Sequence, residues 1–178
     1  MPRNRQEIDR EDKIEEILQA AERTLRRVGY DGLSFGALAS ELNLARGALY
    51  WYFPTKDDLF VAAVARVFAE ALSDPPHRAG HVKRITWAVE QLAILEPLSA
   101  ALHDRARHSA GAAALERAIQ AEMCSRLRDL LRGRVEAARL NDVADAIVVF
   151  AQGLLAMPLD QAERAARLRF LLSELVPT

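Results

Sequence analysis

The sequence predicts an all-α protein. Alanine and leucine dominate the 178 residues, and hydrophobic residues make up 51% of the chain. Apolar positions recur at the helical spacings i, i+3, i+4 and i+7, and no run alternates with the period of two that a half-buried strand requires. Glycine and proline stand at intervals that suit turns between helices. These observations favour helix after helix along the whole chain.

The first two helices are marked by residues that end helices or permit turns. The first covers about residues 10–28 and carries one apolar stripe. Gly29 follows it, and glycine readily adopts the left-handed conformation at a helix C-terminus. The second helix begins at Ser34 and ends before Asn43, because asparagine tolerates the left-handed conformation of a tight turn.

The third and fourth helices are separated by a proline. The third is short, covers about residues 45–53, and ends at Pro54. The fourth begins after Thr55, and Asp58 three residues on gives the spacing of a capping box. It continues to about Ser73, where Asp-Pro-Pro interrupts the pattern.

Five more helices are predicted in the remainder of the chain. The longest contains Gly133, which we expect to kink it. The approximate spans are residues 81–95, 98–108, 110–140, 142–157 and 161–176.

Composition excludes several classes of protein. The net charge of −1 gives no support for nucleic-acid binding, so any such role depends on local charge. No apolar run approaches the roughly 18–20 residues that span a bilayer, and the polar N-terminus lacks a secretory signal. The single cysteine, Cys124, excludes an internal disulfide framework. We therefore expect a cytoplasmic protein without a metal or cofactor.

Residues 34–56 form the pattern with the most functional information. Two short helices are joined here by a turn of about three residues, Ala39 lets them approach closely, and Leu44, Leu49 and Phe53 point inward. This arrangement is typical of a helix-turn-helix, whose second helix enters the major groove of DNA.

The outward face of the second of these helices has the chemistry that DNA needs. No acidic residue occurs from Leu42 to Thr55, and phosphate attraction dominates the affinity of proteins for DNA. Three large aromatics in succession cannot all face inward, since successive helical residues differ by about 100°. The predicted DNA-binding residues are Ser34, Arg46, Gly47, Ala48, Tyr50, Trp51, Tyr52 and Lys56.

The same segment resembles the TetR family of bacterial transcriptional regulators over about residues 14–62. The resemblance rests on Gly29-Tyr30-Asp31, Leu33-Ser34, Leu38-Ala39, Arg46-Gly47-Ala48-Leu49-Tyr50 and Phe53-Pro54-Thr55-Lys56-Asp57-Asp58-Leu59.

The resemblance implies an N-terminal three-helix DNA-binding domain followed by a C-terminal helical ligand-binding and dimerisation domain. By position it implies that Arg46, Gly47 and Ala48 read bases. It also implies that Ser34, Tyr50, Tyr52 and Lys56 contact phosphates, with Trp51 able to serve either role. We expect the DNA-binding domain at residues 1–56, a connecting helix at 57–75 and the regulatory and dimerisation domain at 76–178.

A ligand cavity between helices is the functional interpretation of the C-terminal part, and ordinary core packing is the alternative. The candidate lining residues are Trp87, Gln91, Leu95, Leu98, Leu102, Met123 and Phe150. The arginine series at 126, 128, 132, 134 and 139 is interpreted as a solvated helix surface, with an anionic inducer site as the alternative.

The last two predicted helices carry apolar stripes that could pair with those of a second copy. Such pairing would make a four-helix bundle with two-fold symmetry. The predicted interface residues are Val143, Ile147, Phe150, Leu154, Leu168, Leu171, Leu172 and Leu175.

The function predicted is a repressor that binds a palindromic double-stranded DNA operator as a homodimer and is released by a small-molecule inducer. One alternative is a DNA-binding regulator without an inducer. The other is a helical enzyme, but the sequence has no nucleophile–base pair, phosphate loop or metal motif.

Overall fold

The computed structural model describes the backbone of residues 5–176 and the side chains of residues 10–45 and 47–176. Within this range the chain is helical from one end to the other and has no β-sheet. The helices are α1 (Arg5–Gly32), α2 (Phe35–Glu41), α3 (Arg46–Tyr52), α4 (Lys56–Ala71), α5 (His81–Ile94), α6 (Glu96–Ala106), α7 (Ala110–Leu131), α8 (Leu140–Leu155) and α9 (Gln161–Leu175). The all-α class predicted from the sequence is confirmed.

The helices form two compact units that alternate along the chain. Unit 1 contains residues 1–68 and 97–115, and unit 2 contains residues 69–96 and 116–178. This division differs from the consecutive domains expected from the sequence, because α6 and the first residues of α7 group with the N-terminal helices.

The core of unit 1 joins α1 to the helices that follow it. Leu25 of α1, Leu38 of α2, Leu49 of α3 and Phe60 of α4 are all buried. On α6, Leu102 is buried as well. Burying such side chains contributes about 1.5–3 kcal/mol each, so these helices hold one another in place.

Three predicted local features of unit 1 are observed. Gly29 has φ of 67° and interrupts the helical backbone near the end of α1. Asn43 has φ of 52° in the turn between α2 and α3. The capping box before α4 is also formed, since the Thr55 amide donates to Asp58 Oδ2 at 3.0 Å and the Asp58 amide donates to Thr55 Oγ1 at 3.1 Å. These turns fix where α2, α3 and α4 begin and end.

Unit 2 has a core of its own between α5, α7, α8 and α9. Its most buried members include Leu131, Ile147, Leu168 and Leu172. Asp160 begins α9 with a complete capping box. Cys124 is half-buried against this core, and burial raises the pKa of its thiol, which disfavours the reactive thiolate.

The length predicted for the seventh helix is wrong. The helix ends at Leu131 and not near residue 140. Gly133 has φ of 78°, a conformation that glycine adopts without strain, so it turns the chain out of the helix where only a kink was expected.

The interface prediction also needs correction. Val143, Ile147, Leu154, Leu168 and Leu172 are buried within the core of their own unit. Phe150, Leu171 and Leu175 are partly buried against the same core. The five buried residues are covered by their own chain and are not a surface for a partner, while Phe150, Leu171 and Leu175 stay predicted interface residues.

Candidate functional site

The turn between α2 and α3 is fixed by buried anchors on both sides. Ala39 is buried and its carbonyl accepts from the Leu44 amide at 2.8 Å. Leu49 and Phe53 are buried, and the Phe53 amide donates to the Leu49 carbonyl at 2.9 Å. The inward face of α3 is thus held against unit 1, and its other face is left outside.

The outward face of α3 presents two large aromatic side chains. Trp51 is 86% exposed and Tyr50 is 49% exposed. The Tyr50 ring packs on the Phe35 ring of α2 at a centroid distance of 4.7 Å, which orients it. A fully exposed tryptophan on a helix with well-packed inner residues indicates a contact surface, since aromatic residues are enriched at interfaces.

At Gly47, in the first turn of α3, no side chain lies between the backbone and solvent. Gly47 is exposed, and no other group lies within 4 Å of the position that its Cβ would take. Ala48 is half-buried, and Tyr52 at the end of α3 is half-buried too. Arg46 begins α3, but its side chain lies outside the described residues, and its predicted base-reading role stays a prediction.

Ser34 is the N-cap residue of α2 and is exposed. Its hydroxyl makes no capping bond to the amides of α2, and its predicted phosphate contact stays a prediction.

Lys56 is placed by neighbouring groups of unit 1. Its ammonium lies 4.1 Å from the centre of the Tyr30 ring and 3.5 Å from the Asp31 carbonyl oxygen. A cation over an aromatic face is held by electrostatic attraction, and the half-buried stem keeps the charge at the first residue of α4. The charge is therefore fixed near the end of α3.

Asp57 connects three segments of unit 1. Tyr30 Oη donates to its Oδ1 at 2.5 Å, and Arg105 Nη2 of α6 donates to its Oδ2 at 2.7 Å. Burial opposes ionisation of Asp57, but the hydrogen bonds from Arg105 and Tyr30 outweigh it and lower the pKa of the carboxyl. Burial and the bond to Asp57 raise the pKa of Tyr30 to about 12.

Acidic groups next to the exposed face of α3 are few or paired. Glu41, the last residue of α2, forms an ion pair with Arg23 at 2.8 Å. Together with the absence of acids from residue 42 to 55, this leaves α3 itself without negative charge to oppose a phosphate backbone.

Unit 2 contains a cavity of about 630 Å³. This volume lies within the range of about 300–1,000 Å³ that small-molecule sites occupy. Its walls come from α5, α7 and α8 together with neighbouring loops. The lining residues are Leu72, Pro75, Arg84, Ile85, Trp87, Ala88, Val89, Leu92, Met123, Arg126, Leu127, Asp129, Leu130, Arg132, Arg134, Ile147, Val148 and Ala151.

Two of the predicted lining residues, Trp87 and Met123, contribute to this cavity, and the others do not. On α5, Leu92 is the last residue that lines the cavity. Leu95 follows the end of this lining face, and Gln91 lies beside the face. Other predicted residues pack elsewhere: Phe150 against the core of unit 2, and Leu98 and Leu102 in unit 1.

The sequence interpretation missed Arg84, which was not singled out. Arg126, Arg132 and Arg134 were interpreted as a solvated helix surface, with an anionic inducer site as the alternative; all three are exposed and also line the cavity. A weak signal for Arg84 was available in the sequence. Arg84 precedes Trp87 by three residues and therefore lies on the same face of α5 as this predicted lining residue.

A second exposed apolar surface lies on the outer faces of α8 and α9. Val149 of α8 is 62% exposed and Phe170 of α9 is 69% exposed. The residues about one turn away from them on the same helices, Ala146, Gly153 and Ala166, are small and exposed. Small residues beside large apolar ones suit close packing against another helix pair.

The N-terminal helices match a known family. Residues 17–63 match the family described as bacterial regulatory proteins, tetR family, which confirms the resemblance. An uncharacterized HTH-type transcriptional regulator of Haemophilus influenzae is 41% identical over 58 residues, which are 33% of this chain and 31% of that protein. The match therefore spans about a third of the relative's length.

Solved structures extend the similarity of fold to nearly the whole chain. A transcriptional regulator from Rhodococcus sp. Rha1 has a TM-score of 0.73 at 19% identity, over 92% of this chain and 99% of that chain. A transcriptional regulator from Saccharomonospora viridis, in complex with choline, has a TM-score of 0.73 at 16% identity, over 93% and 98%. At such identities the likeness shows the fold alone.

The matched family is described as regulatory proteins, in agreement with the expectation that the chain is not an enzyme. In the described part of the chain, each helix is too short or too polar to cross a membrane.

Proposed function

We propose that this chain, whose N-terminal domain belongs to the tetR family of bacterial regulatory proteins, is a transcriptional repressor. It binds a palindromic operator in the cytoplasm as a homodimer and is released by a small molecule. One observation carries the proposal: α3 presents Trp51 and Tyr50 to solvent on a face without acidic residues, while Leu49 and Phe53 hold its other face.

The dimensions of α3 suit a major groove. An α-helix with its side chains is about 10–12 Å across, which matches a groove about 12 Å wide, and the seven residues of α3 make about two turns. Gly47 and Ala48 let the start of the helix approach base edges, and Arg46 would read a guanine there. Tyr50, Tyr52, Ser34 and Lys56 would meet the flanking phosphates, and Trp51 would pack on a sugar or a thymine methyl.

A homodimer supplies the specificity that one short helix lacks. A single recognition helix reads only a few base pairs, and two-fold symmetry doubles the site to a palindrome. The outer faces of α8 and α9, with Val149 and Phe170 exposed, are the surface we propose for pairing with a second copy. Two helices from each protomer would then form a four-helix bundle.

Release by a small molecule is supported by the cavity of unit 2. The structural neighbour in complex with choline supports the view that the fold accommodates a small molecule. Leu72 lines the cavity and directly follows α4, whose first residues include Lys56 and Asp57. A ligand that favours another position of Leu72 would shift the population of α4 positions and so move the two recognition helices out of register with DNA.

A gel-shift titration tests the proposal. The full chain is titrated into a duplex taken from upstream of its own gene, with an unrelated duplex of equal length as control. We expect the upstream duplex to bind at least about a thousandfold more tightly, as specific sites do. Equal affinity for both duplexes, or no binding at low salt, would contradict the proposal.

A further inference from the structure

The cavity of unit 2 combines an apolar body with cationic groups. Ile85, Trp87, Leu92 and Met123 are among its mostly apolar walls. Four arginines also line it, against one carboxylate, Asp129. Arg126, Arg132 and Arg134 are exposed and Arg84 is half-buried, so positive charge lies at the solvent side of the apolar walls.

Two of these arginines are already paired. Arg126 Nε lies 2.6 Å from Glu122 Oε1, and its Nη1 donates to the Leu72 carbonyl at 3.2 Å. Arg132 Nη2 lies 3.0 Å from Asp129 Oδ1. Their charges are largely offset by protein carboxylates.

The other two lack such neighbours. Arg84 Nε is buried and donates to no acceptor, and among the described side chains neither Arg84 nor Arg134 has a carboxylate partner. Burial, and after it the charge of Arg134, lower the pKa of His81, which places the Arg134 charge near this end of α5. Arg84 is half-buried at the cavity wall, so an anion in the cavity would supply the opposite charge that the neighbouring side chains do not provide.

We propose that the cavity binds an organic carboxylate with an apolar body, and that Arg84 is the residue that receives the carboxylate. The proposal rests on the proposed function, because it names the chemical class of the small molecule that releases the protein from DNA. The planar guanidinium fork matches a carboxylate with two parallel hydrogen bonds. Arg134 adds favourable charge at the same wall, and Trp87 and its apolar neighbours enclose the body of the ligand.

The test uses the fluorescence of Trp87. The chain has two tryptophans, and replacing the exposed Trp51 with Phe leaves Trp87, at the cavity wall, as the reporter. Two matched sets of probes are titrated: octanoate, octanol and octylamine, and 4-phenylbutyrate with its alcohol and its amine. We expect the acid of at least one set to bind at least about tenfold more tightly than its alcohol, and the amine to bind most weakly.

Variants then test whether Arg84 provides the positive charge that binds the carboxylate of the acid. Arg84→Gln is expected to weaken binding of the acid at least about tenfold and to leave binding of the alcohol unchanged, while Arg84→Lys retains part of the preference. Arg139→Gln is the matched control, because Arg139 is exposed in the same unit and does not line the cavity. Circular dichroism of each variant confirms that the fold is retained.

The outcomes separate this inference from the proposed function. Equal binding of acid and alcohol in both sets, or an unchanged acid affinity in folded Arg84→Gln, would overturn the carboxylate proposal even if the chain binds its operator. Failure to bind DNA, with the acid preference intact, would overturn the repressor function and leave the ligand class standing.

Discussion

Arg105 Nη2 donates a hydrogen bond to Asp57 Oδ2 at 2.7 Å and so connects α6 with the first turn of α4 across 48 residues of sequence. The other carboxylate oxygen accepts from Tyr30 Oη, and the Arg105 guanidinium lies 5.1 Å from the centre of the Tyr30 ring. Both side chains of the ion pair are mostly shielded from water. The three residues therefore fix the start of α4, next to the helix proposed to read DNA.

Removing the guanidinium tests the contribution of this pair. Arg105→Gln is expected to lower the free energy of unfolding by about 1–3 kcal/mol, because Asp57 would remain charged and shielded without its strongest donor. Urea unfolding measures the change. Arg107→Gln is the matched control, since Arg107 forms a fully solvated pair with Asp104 and should cost under about 0.5 kcal/mol. Equal costs for both variants would contradict a special role for Asp57.

The lowered pKa of Asp57 predicts a stability difference that depends on pH. The folded carboxyl titrates below its ordinary value of 3.8, so its stabilisation is complete above that value and is lost as the pH falls through the folded pKa. Urea unfolding of the wild type and of Asp57→Asn should show a gap that closes below pH about 3.8. A gap that stays constant from neutral to acid pH would mean that the Asp57 charge does not stabilise the fold.

Trp51 is predicted to contribute to DNA binding and not to stability. Trp51→Ala should weaken operator binding about tenfold or more, since tryptophans at interface centres contribute strongly, and should leave unfolding unchanged within about 0.5 kcal/mol. Fluorescence anisotropy with a labelled duplex measures the affinity. Ile94→Ala, at a side chain that is 70% exposed in unit 2, is the control and should leave DNA affinity unchanged. The proposal for α3 fails if the two variants bind equally well.

Lys56 is predicted to contact a phosphate. Lys56→Ala should weaken binding to all duplexes alike and reduce the slope of log affinity against log salt by about 1. The exposed Lys83 of α5 provides the comparison, and Lys83→Ala should leave the slope as it is. An unchanged slope in Lys56→Ala would assign this lysine to packing on Tyr30 alone.

The outer face of α9 is predicted to lie in a dimer interface. Phe170→Glu should shift the chain from dimer to monomer in sedimentation experiments, because a charge would be buried without a partner. Operator affinity should fall with it, while Ile94→Glu should preserve both the dimer and the affinity. A wild-type monomer, or a dimeric Phe170→Glu, would remove this face from the interface.

Local features of the N-terminal part could be predicted from the sequence because neighbouring residues determine them. Asn43 adopts positive φ, and Thr55 and Asp58 form their capping box, as their types and spacing indicate. The inward positions Leu49 and Phe53 followed from helical periodicity alone.

Features that depend on distant segments could not be predicted in this way. Periodicity shows that a helix has an apolar stripe, but not whether its own chain or a partner covers it, and Ile147 was assigned to the wrong surface for this reason. The pairing of Arg105 with Asp57 joins residues far apart in sequence. Similarly, an arginine in a helix carries the same pattern whether it faces solvent, as Arg167 does, or a cavity, as Arg84 does.

The alternation of the two units along the chain sets an order for folding during synthesis. Ribosomes add about 5–20 residues per second, so the first 68 residues of unit 1 emerge several seconds before residues 97–115 that complete it. During that interval the nascent DNA-reading helices lack α6 and the cation that neutralises Asp57. A polypeptide released early, before Arg105 is translated, would thus carry an incomplete DNA-binding unit.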